Sequence, residues 1–151
     1  MKICFAASSG GHFEQLMMLK PLMDANDSFI LTEKVPYAVN TQGVRTHFLP
    51  QVNRHERGYR FKMVRIGFRS LAIFLRERPD VIICTGVLAT IPMCLLMKIF
   101  HRKLIFIESF AKVSSPTETG KFLYKYADRF YVQWESMKEF YPDAIYVGGI
   151  Y

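Results

Sequence analysis

Apolar positions recur along the chain in two rhythms. Short, nearly unbroken apolar runs at Lys2 to Ala7, Ser28 to Thr32, Arg45 to Leu49, Asp80 to Cys84, Leu104 to Ile107, Phe130 to Val132 and Ala144 to Val147 predict strands. Between them, apolar residues spaced three and four apart predict helices over His12 to Asp24, Phe61 to Glu77, Ile91 to Phe100 and Lys121 to Ala127, with a helical piece at Ser136 to Tyr141. Pro79 stops the second helix, and Pro92 suits the first turn of the third. Continuous rather than alternating apolar strands are expected where both faces of a parallel sheet are covered. Strands alternating with helices therefore predict one α/β domain over residues 1–151, with an open, mostly parallel, doubly wound sheet flanked by helices. Such sheets bind ligands outside the carboxyl ends of their strands, so the residues following each strand are the ones to inspect.

The long helix is unusual. At about 100° per residue, Lys62, Arg65, Arg69 and Arg76 form one stripe roughly 60° wide. Val64, Phe68, Leu71 and Leu75 fall opposite and are expected to face the core, which leaves Ile66 and Ile73 among the charges. Cations flanking exposed aliphatics compose a helix that lies on an anionic membrane surface; a solvated face with two stray apolar residues has the same pattern.

Composition sharpens this picture. With 151 residues, 50% of them hydrophobic, the chain has enough apolar material for one well-packed core and is not disordered or fibrous. The net charge is +7, and the eight basic residues against two acids between Arg54 and Arg78 carry +6 of it, pointing to an anionic partner for that stretch. Three cysteines, Cys4, Cys84 and Cys94, lack the spacing of a disulfide framework or a zinc site, so no metal or cofactor is implied and a cytoplasmic location is expected. The charge-free run from Val81 to Met97 is broken by Thr85-Gly86 and Pro92 and reads as strand, loop and helix, not as a membrane span.

Four strand ends carry candidate chemistry. Ser8-Ser9-Gly10-Gly11-His12 follows the first strand: its glycines open the backbone to a phosphate, and His12 is a base or a diphosphate ligand, although a tight turn with a capping histidine explains the same residues. Thr85-Gly86 begins an uncharged crossing suited to backbone contacts or to close packing. Glu108-Ser109 places a carboxylate where it would orient a sugar hydroxyl, or be a solvated loop acid. Gln133-Trp134 fits core or interface packing.

Together these segments resemble a known family. The Ser-Gly-Gly-His turn, Thr85-Gly86 with Pro92, Ile107-Glu108-Ser109-Phe110-Ala111-Lys112, Thr119-Gly120-Lys121, Ala127 to Trp134 and Tyr146-Val147-Gly148-Gly149 are similar to the oligosaccharide biosynthesis proteins of the asparagine-linked glycosylation type, whose bacterial members serve capsule and exopolysaccharide synthesis. The resemblance implies a Rossmann-like domain equivalent to the amino-terminal, acceptor-side half of a GT-B glycosyltransferase, with the nucleotide-sugar half on a separate polypeptide. It implies an accessory subunit that docks this catalytic partner at the membrane and helps to bind a polyprenyl-diphosphate-linked saccharide, and that is inactive or weakly active alone.

Carried onto this chain, the acceptor-binding residues are Ser9, Gly10, Gly11, His12, Thr85, Gly86, Glu108 and Ser109, with His12 and Glu108 as catalytic candidates. Eukaryotic members begin with a membrane anchor, whereas Met1 here adjoins the first strand. Peripheral attachment to the inner face of the cell membrane is therefore expected, through Lys62, Arg65, Ile66, Arg69, Ile73 and Arg76. The rival readings are a self-sufficient small α/β transferase using His12 and Glu108, and a nucleic-acid-binding module using the basic stretch with Tyr59 and Phe61 as stacking groups. The absence of a recognised nucleic-acid motif weighs against the latter.

Overall fold

A computed structural model describes residues 1–151. Seven strands form one sheet in the order β3-β2-β1-β4-β5-β6-β7, every neighbouring pair parallel. In chain order the strands are β1 (Lys2–Ala7), β2 (Asp27–Glu33), β3 (Thr46–Leu49), β4 (Val81–Gly86), β5 (Lys103–Ile107), β6 (Arg129–Val132) and β7 (Ile145–Tyr146). The helices are α1 (Gly11–Met17), α2 (Lys20–Asp24), α3 (Tyr59–Glu77), α4 (Ile91–Ile99) and α5 (Glu118–Leu123), with single 3-10 turns at Leu88–Thr90 and Glu135–Glu139. The doubly wound sheet expected from the strand and helix rhythm is present, and with it the Rossmann-like architecture that the resemblance implied.

The order reverses between β1 and β4, so the connections leave these two strands toward opposite edges of the sheet and open a crevice at their carboxyl ends. One apolar layer, with Phe29, Leu31, Ile66, Ile73, Phe74, Ile82 and Met93, packs α3 and α4 on one face. The other layer, with Ile3, Phe5, Phe13, Leu16 and Ile30, packs α1. Central strands covered on both faces need apolar residues at every position, which is why Ile3 to Ala7 are all buried.

Two local expectations are corrected. The helix expected over His12 to Asp24 divides into α1 and α2, because Pro21 lacks the N–H that a continuous helix would direct to the Met17 carbonyl and instead sits in the first turn of α2. The last helical piece, expected at Ser136 to Tyr141, is a 3-10 turn at Glu135–Glu139.

The phase of α3 is also reversed from expectation. Ile66 and Ile73 are buried, at 0% and 6% exposure, whereas Val64, Phe68 and Leu75 point outward. The buried stripe is Ile66, Ser70, Ile73, Phe74 and Glu77. Glu77 belongs to it because Lys2 Nζ, Arg45 Nη2 and His47 Nε2 meet its carboxylate at 3.2, 3.1 and 2.7 Å. A polar pair of positions thus occupies the core side and two aromatics occupy the outside, an arrangement that hydrophobicity alone reads backwards.

Candidate functional site

The turn after β1 lies against the end of β4. The Ser8 N–H donates to the Gly86 carbonyl at 2.9 Å, and the Thr85 hydroxyl donates to the His12 carbonyl at 2.9 Å. Gly86 has φ +109, a backbone conformation that favours glycine, and packs against the His12 ring, from which a Cβ would stand at an ordinary contact of 3.5 Å. Gly10 and Gly11 are exposed, with open space where side chains would stand.

Burial lowers the pKa of His12 below its ordinary value of 6.5; the Thr85 contact and Glu108 offset part of this. The imidazole is therefore neutral at pH 7, and its Nδ1 is buried without a hydrogen-bond partner. A neutral imidazole at the crevice is equipped to accept a proton or a hydrogen bond from a ligand.

Glu108 occupies a different environment from the one expected of it. It is 1% exposed. Its carboxylate accepts from the Ser109 N–H at 2.9 Å, the Thr117 N–H at 3.1 Å, the Thr117 hydroxyl at 2.8 Å and the Tyr141 hydroxyl at 2.7 Å. Burial, and then the Glu108 carboxylate itself, push the Tyr141 phenol far above its usual range, so Tyr141 remains a donor. Gly120 packs so closely that a Cβ would collide with this carboxylate.

Glu108 thus ties β5, α5 and the Glu135–Glu139 turn together and offers no free oxygen to a substrate. It does not line the cleft, and the catalytic and acceptor-binding roles expected for it are withdrawn. A strand-end carboxylate looks the same in sequence whether the next loop exposes or covers it; here residues 109–117 fold back over it.

The other candidates divide similarly. Ser109 is buried and its hydroxyl accepts the Ala111 N–H at 3.3 Å; Thr85 is buried and spends its hydroxyl on His12. Gln133 donates to Gln15 Oε1 at 2.8 Å and to the Glu108 carbonyl at 2.9 Å, and Trp134 Nε1 donates to the Phe110 carbonyl at 2.6 Å, so both serve packing. Ser9, Gly10, Gly11 and His12 remain together at the crevice beside Gly86.

On α3, the contradiction of Ile66 and Ile73 as surface residues leaves the cations in place and changes their apolar neighbours. Phe61 is 83% exposed and Phe68 71%, with Val64 and Leu75 alongside them on the helix face opposite the core. Arg65, Arg69 and Arg76 flank that apolar face on one side, with Lys62 at the end of the stripe. Lys62 pairs with Glu56 at 3.1 Å, and Arg69 Nε donates to the Phe48 carbonyl at 2.7 Å. No helix is long and apolar enough to cross a membrane.

Residues 51–150 match the family model described as "Oligosaccharide biosynthesis protein Alg14 like". The chain belongs to this family. The human UDP-N-acetylglucosamine transferase subunit ALG14 is 34% identical over 87 residues, covering 54% of this chain and 40% of that protein. The subunit of the same name from Yarrowia lipolytica is 27% identical over 172 residues, covering 97% of this chain and 80% of that protein. This chain accordingly spans well under half the length of the human relative.

Solved structures agree in fold. MurG from Acinetobacter baumannii superposes with a TM-score of 0.69 at 14% identity, covering 87% of this chain and 40% of that one. UDP-N-acetylglucosamine 2-epimerase from Rickettsia bellii superposes with a TM-score of 0.73 at 11% identity, covering 99% of this chain and 45% of that one. In both, the match covers less than half of the other chain.

Proposed function

We propose that this chain is the acceptor-side subunit of a two-component glycosyltransferase, a single GT-B amino-terminal-like domain over residues 1–151 that acts with a separate nucleotide-sugar-binding polypeptide. The acceptor is a polyprenyl-diphosphate-linked saccharide, and the pathway is capsule or exopolysaccharide assembly. Family membership supports the class of reaction, since curated relatives are named as transferase subunits. The observation that carries the acceptor-side reading is His12, neutral and with Nδ1 unpartnered, at the crevice where β1 and β4 end. Ser9, Gly10 and Gly11 border the same opening.

A lipid-linked acceptor keeps its diphosphate at headgroup level, so the subunit must sit on the bilayer. The outer face of α3 supports that role: Phe61, Val64, Phe68 and Leu75 enter the interface while Lys62, Arg65, Arg69 and Arg76 meet anionic headgroups on the inner face of the cell membrane. The test is sugar transfer to a lipid-diphosphate acceptor by this chain alone, by the nucleotide-sugar-binding subunit alone and by both. Transfer only by the pair is expected. Full activity of this chain alone would favour the self-sufficient transferase, and retention on single-stranded RNA in preference to anionic vesicles would favour the nucleic-acid module.

A further inference from the structure

The two outermost strands on one side of the sheet, β2 and the edge strand β3, end beside a cavity of about 870 Å³. Val35, Val39, Phe48, Leu49 and Pro50 give it an apolar wall, and Lys34, Arg65 and Arg69 stand among them. No acidic side chain belongs to the lining. None of the three cations takes part in an ion pair elsewhere in the molecule either. Three positive charges around an apolar wall, with no anion to balance them, leave a positive field in the opening.

The sheet holds this arrangement in place. The Lys34 N–H donates to the Leu49 carbonyl at 2.8 Å, which fixes the residue after β2 against the end of β3. Arg69 Nε donates to the Phe48 carbonyl at 2.7 Å, which ties α3 to the edge strand and brings its guanidinium to the cavity. Arg65 lies one helical turn earlier on the same side of α3.

An occupant must bring negative charge for the cations and hydrocarbon for the wall. An inorganic anion lacks the second, and a neutral lipid lacks the first. A nucleotide would bring a base, for which the lining offers only the Tyr37 hydroxyl as an uncharged polar side chain. Position then indicates the source. Arg65 and Arg69 flank the exposed Phe61, Val64 and Phe68, so the cavity lies beside the helix face assigned above to the bilayer.

We propose that this cavity binds one anionic phospholipid of the membrane, with its phosphate between Lys34, Arg65 and Arg69 and the start of an acyl chain against Val35, Val39 and Phe48. The inference rests on the membrane contact proposed for α3 and extends it from a charged helix face to a defined site built by β2, β3 and α3. A lipid held there sets the orientation of the subunit on the bilayer, which attraction between a stripe of charge and a charged surface does not.

The test uses dihexanoyl phosphatidylglycerol, dihexanoyl phosphatidylcholine and glycerol 3-phosphate, each titrated as a monomer into the purified chain by calorimetry. Phosphatidylglycerol should bind saturably, one molecule per chain. Glycerol 3-phosphate should bind at least about tenfold more weakly, the worth of roughly two buried methylene groups. Phosphatidylcholine should bind at least about fivefold more weakly, because its choline opposes the cations. Lys34→Gln and Arg65→Gln should each weaken phosphatidylglycerol by about fivefold. Both residues are exposed, so both variants should melt with the parent.

No saturable binding of phosphatidylglycerol, equal binding of all three probes, or unchanged affinity in Lys34→Gln would overturn the proposal. The KM for a decyl-diphosphate-linked saccharide, assayed with both subunits and no added lipid, should be the same for Lys34→Gln and the parent. A rise in KM matching the loss of phosphatidylglycerol affinity would place the acceptor in this cavity and overturn the assignment to membrane lipid. Lys34 lies outside α3, which separates this inference from the one beneath it. If Phe61→Ser with Phe68→Ser abolishes binding to phosphatidylglycerol vesicles while Lys34→Gln leaves lipid affinity unchanged, the site alone fails; if the Phe variant binds vesicles like the parent, the α3 contact fails.

Discussion

The Thr85 hydroxyl donates to the His12 carbonyl at 2.9 Å across 73 residues of sequence, so the end of β4 holds the turn that follows β1. Thr85→Val removes that donor while keeping the shape of the side chain. The variant should lose about 1 kcal/mol of stability, the net worth of one hydrogen bond, by denaturant titration. Transfer activity of the two-subunit enzyme should fall by more than this stability loss accounts for, because the His12 turn loses its clamp. Equal activity of parent and variant would separate the turn from the acceptor.

The reversed phase of α3 makes opposite predictions for neighbouring residues. Ile66→Ala opens a cavity in the core and should destabilise by about 2–5 kcal/mol, while Phe61→Ser with Phe68→Ser should change stability by no more than about 0.5 kcal/mol, as expected of exposed sites. Binding to phosphatidylglycerol vesicles should respond in the reverse sense. The Phe61→Ser/Phe68→Ser variant should bind weakly, and so should a variant with Lys62, Arg65, Arg69 and Arg76 changed to Gln, since each cation near an anionic surface contributes about 1 kcal/mol. Added salt should weaken the parent but have little effect on the quadruple-Gln protein. Vesicle binding of the Phe variant at the parent's level would remove α3 from the membrane contact.

Glu77 makes stability depend on acid. Burial raises its pKa, but the His47, Lys2 and Arg45 contacts outweigh that and hold it below its ordinary value of 4.5. The folded state therefore binds this proton less readily than the unfolded one, so its contribution is present above the ordinary carboxylate range and is lost as pH falls through it toward the lowered value. Asp128, held by Lys98, Leu104 N–H and Lys103 against the effect of burial, adds to the same acid limb. Glu77→Gln should cost roughly 1–3 kcal/mol at neutral pH, with solvent screening of the half-exposed Arg45 keeping the figure modest. The gap between parent and variant should narrow as pH drops below about 4.5, measured by urea titration at each pH. A constant gap across that range would contradict the linkage.

The sheet was legible because its central strands are buried on both faces, and the apolar runs ending at Ala7, Cys84 and Ile107 admit few other readings. The Ser-Gly-Gly-His turn was legible because glycines beside a strand end constrain what can follow. The phase of α3 was not, because Glu77 is buried through partners distant in the chain: Lys2, Arg45 and His47 meet its carboxylate in space, and nothing local announces them. Glu108 misled for the same reason, since Thr117 and Tyr141 close over it from later elements.

The central claim, that this chain receives the lipid-linked acceptor while its partner holds the nucleotide sugar, is tested most directly by photolabelling. A decyl-diphosphate-linked saccharide carrying a diazirine next to the diphosphate is irradiated with both subunits on phosphatidylglycerol vesicles, and the labelled peptides are identified by mass spectrometry. The account predicts that the label falls on this chain, within the segment containing Ser9, Gly10, Gly11 and His12 or on the adjoining residues after Gly86, and that unlabelled acceptor competes it away. A label confined to the partner subunit, or one on this chain that unlabelled acceptor does not displace, would contradict it.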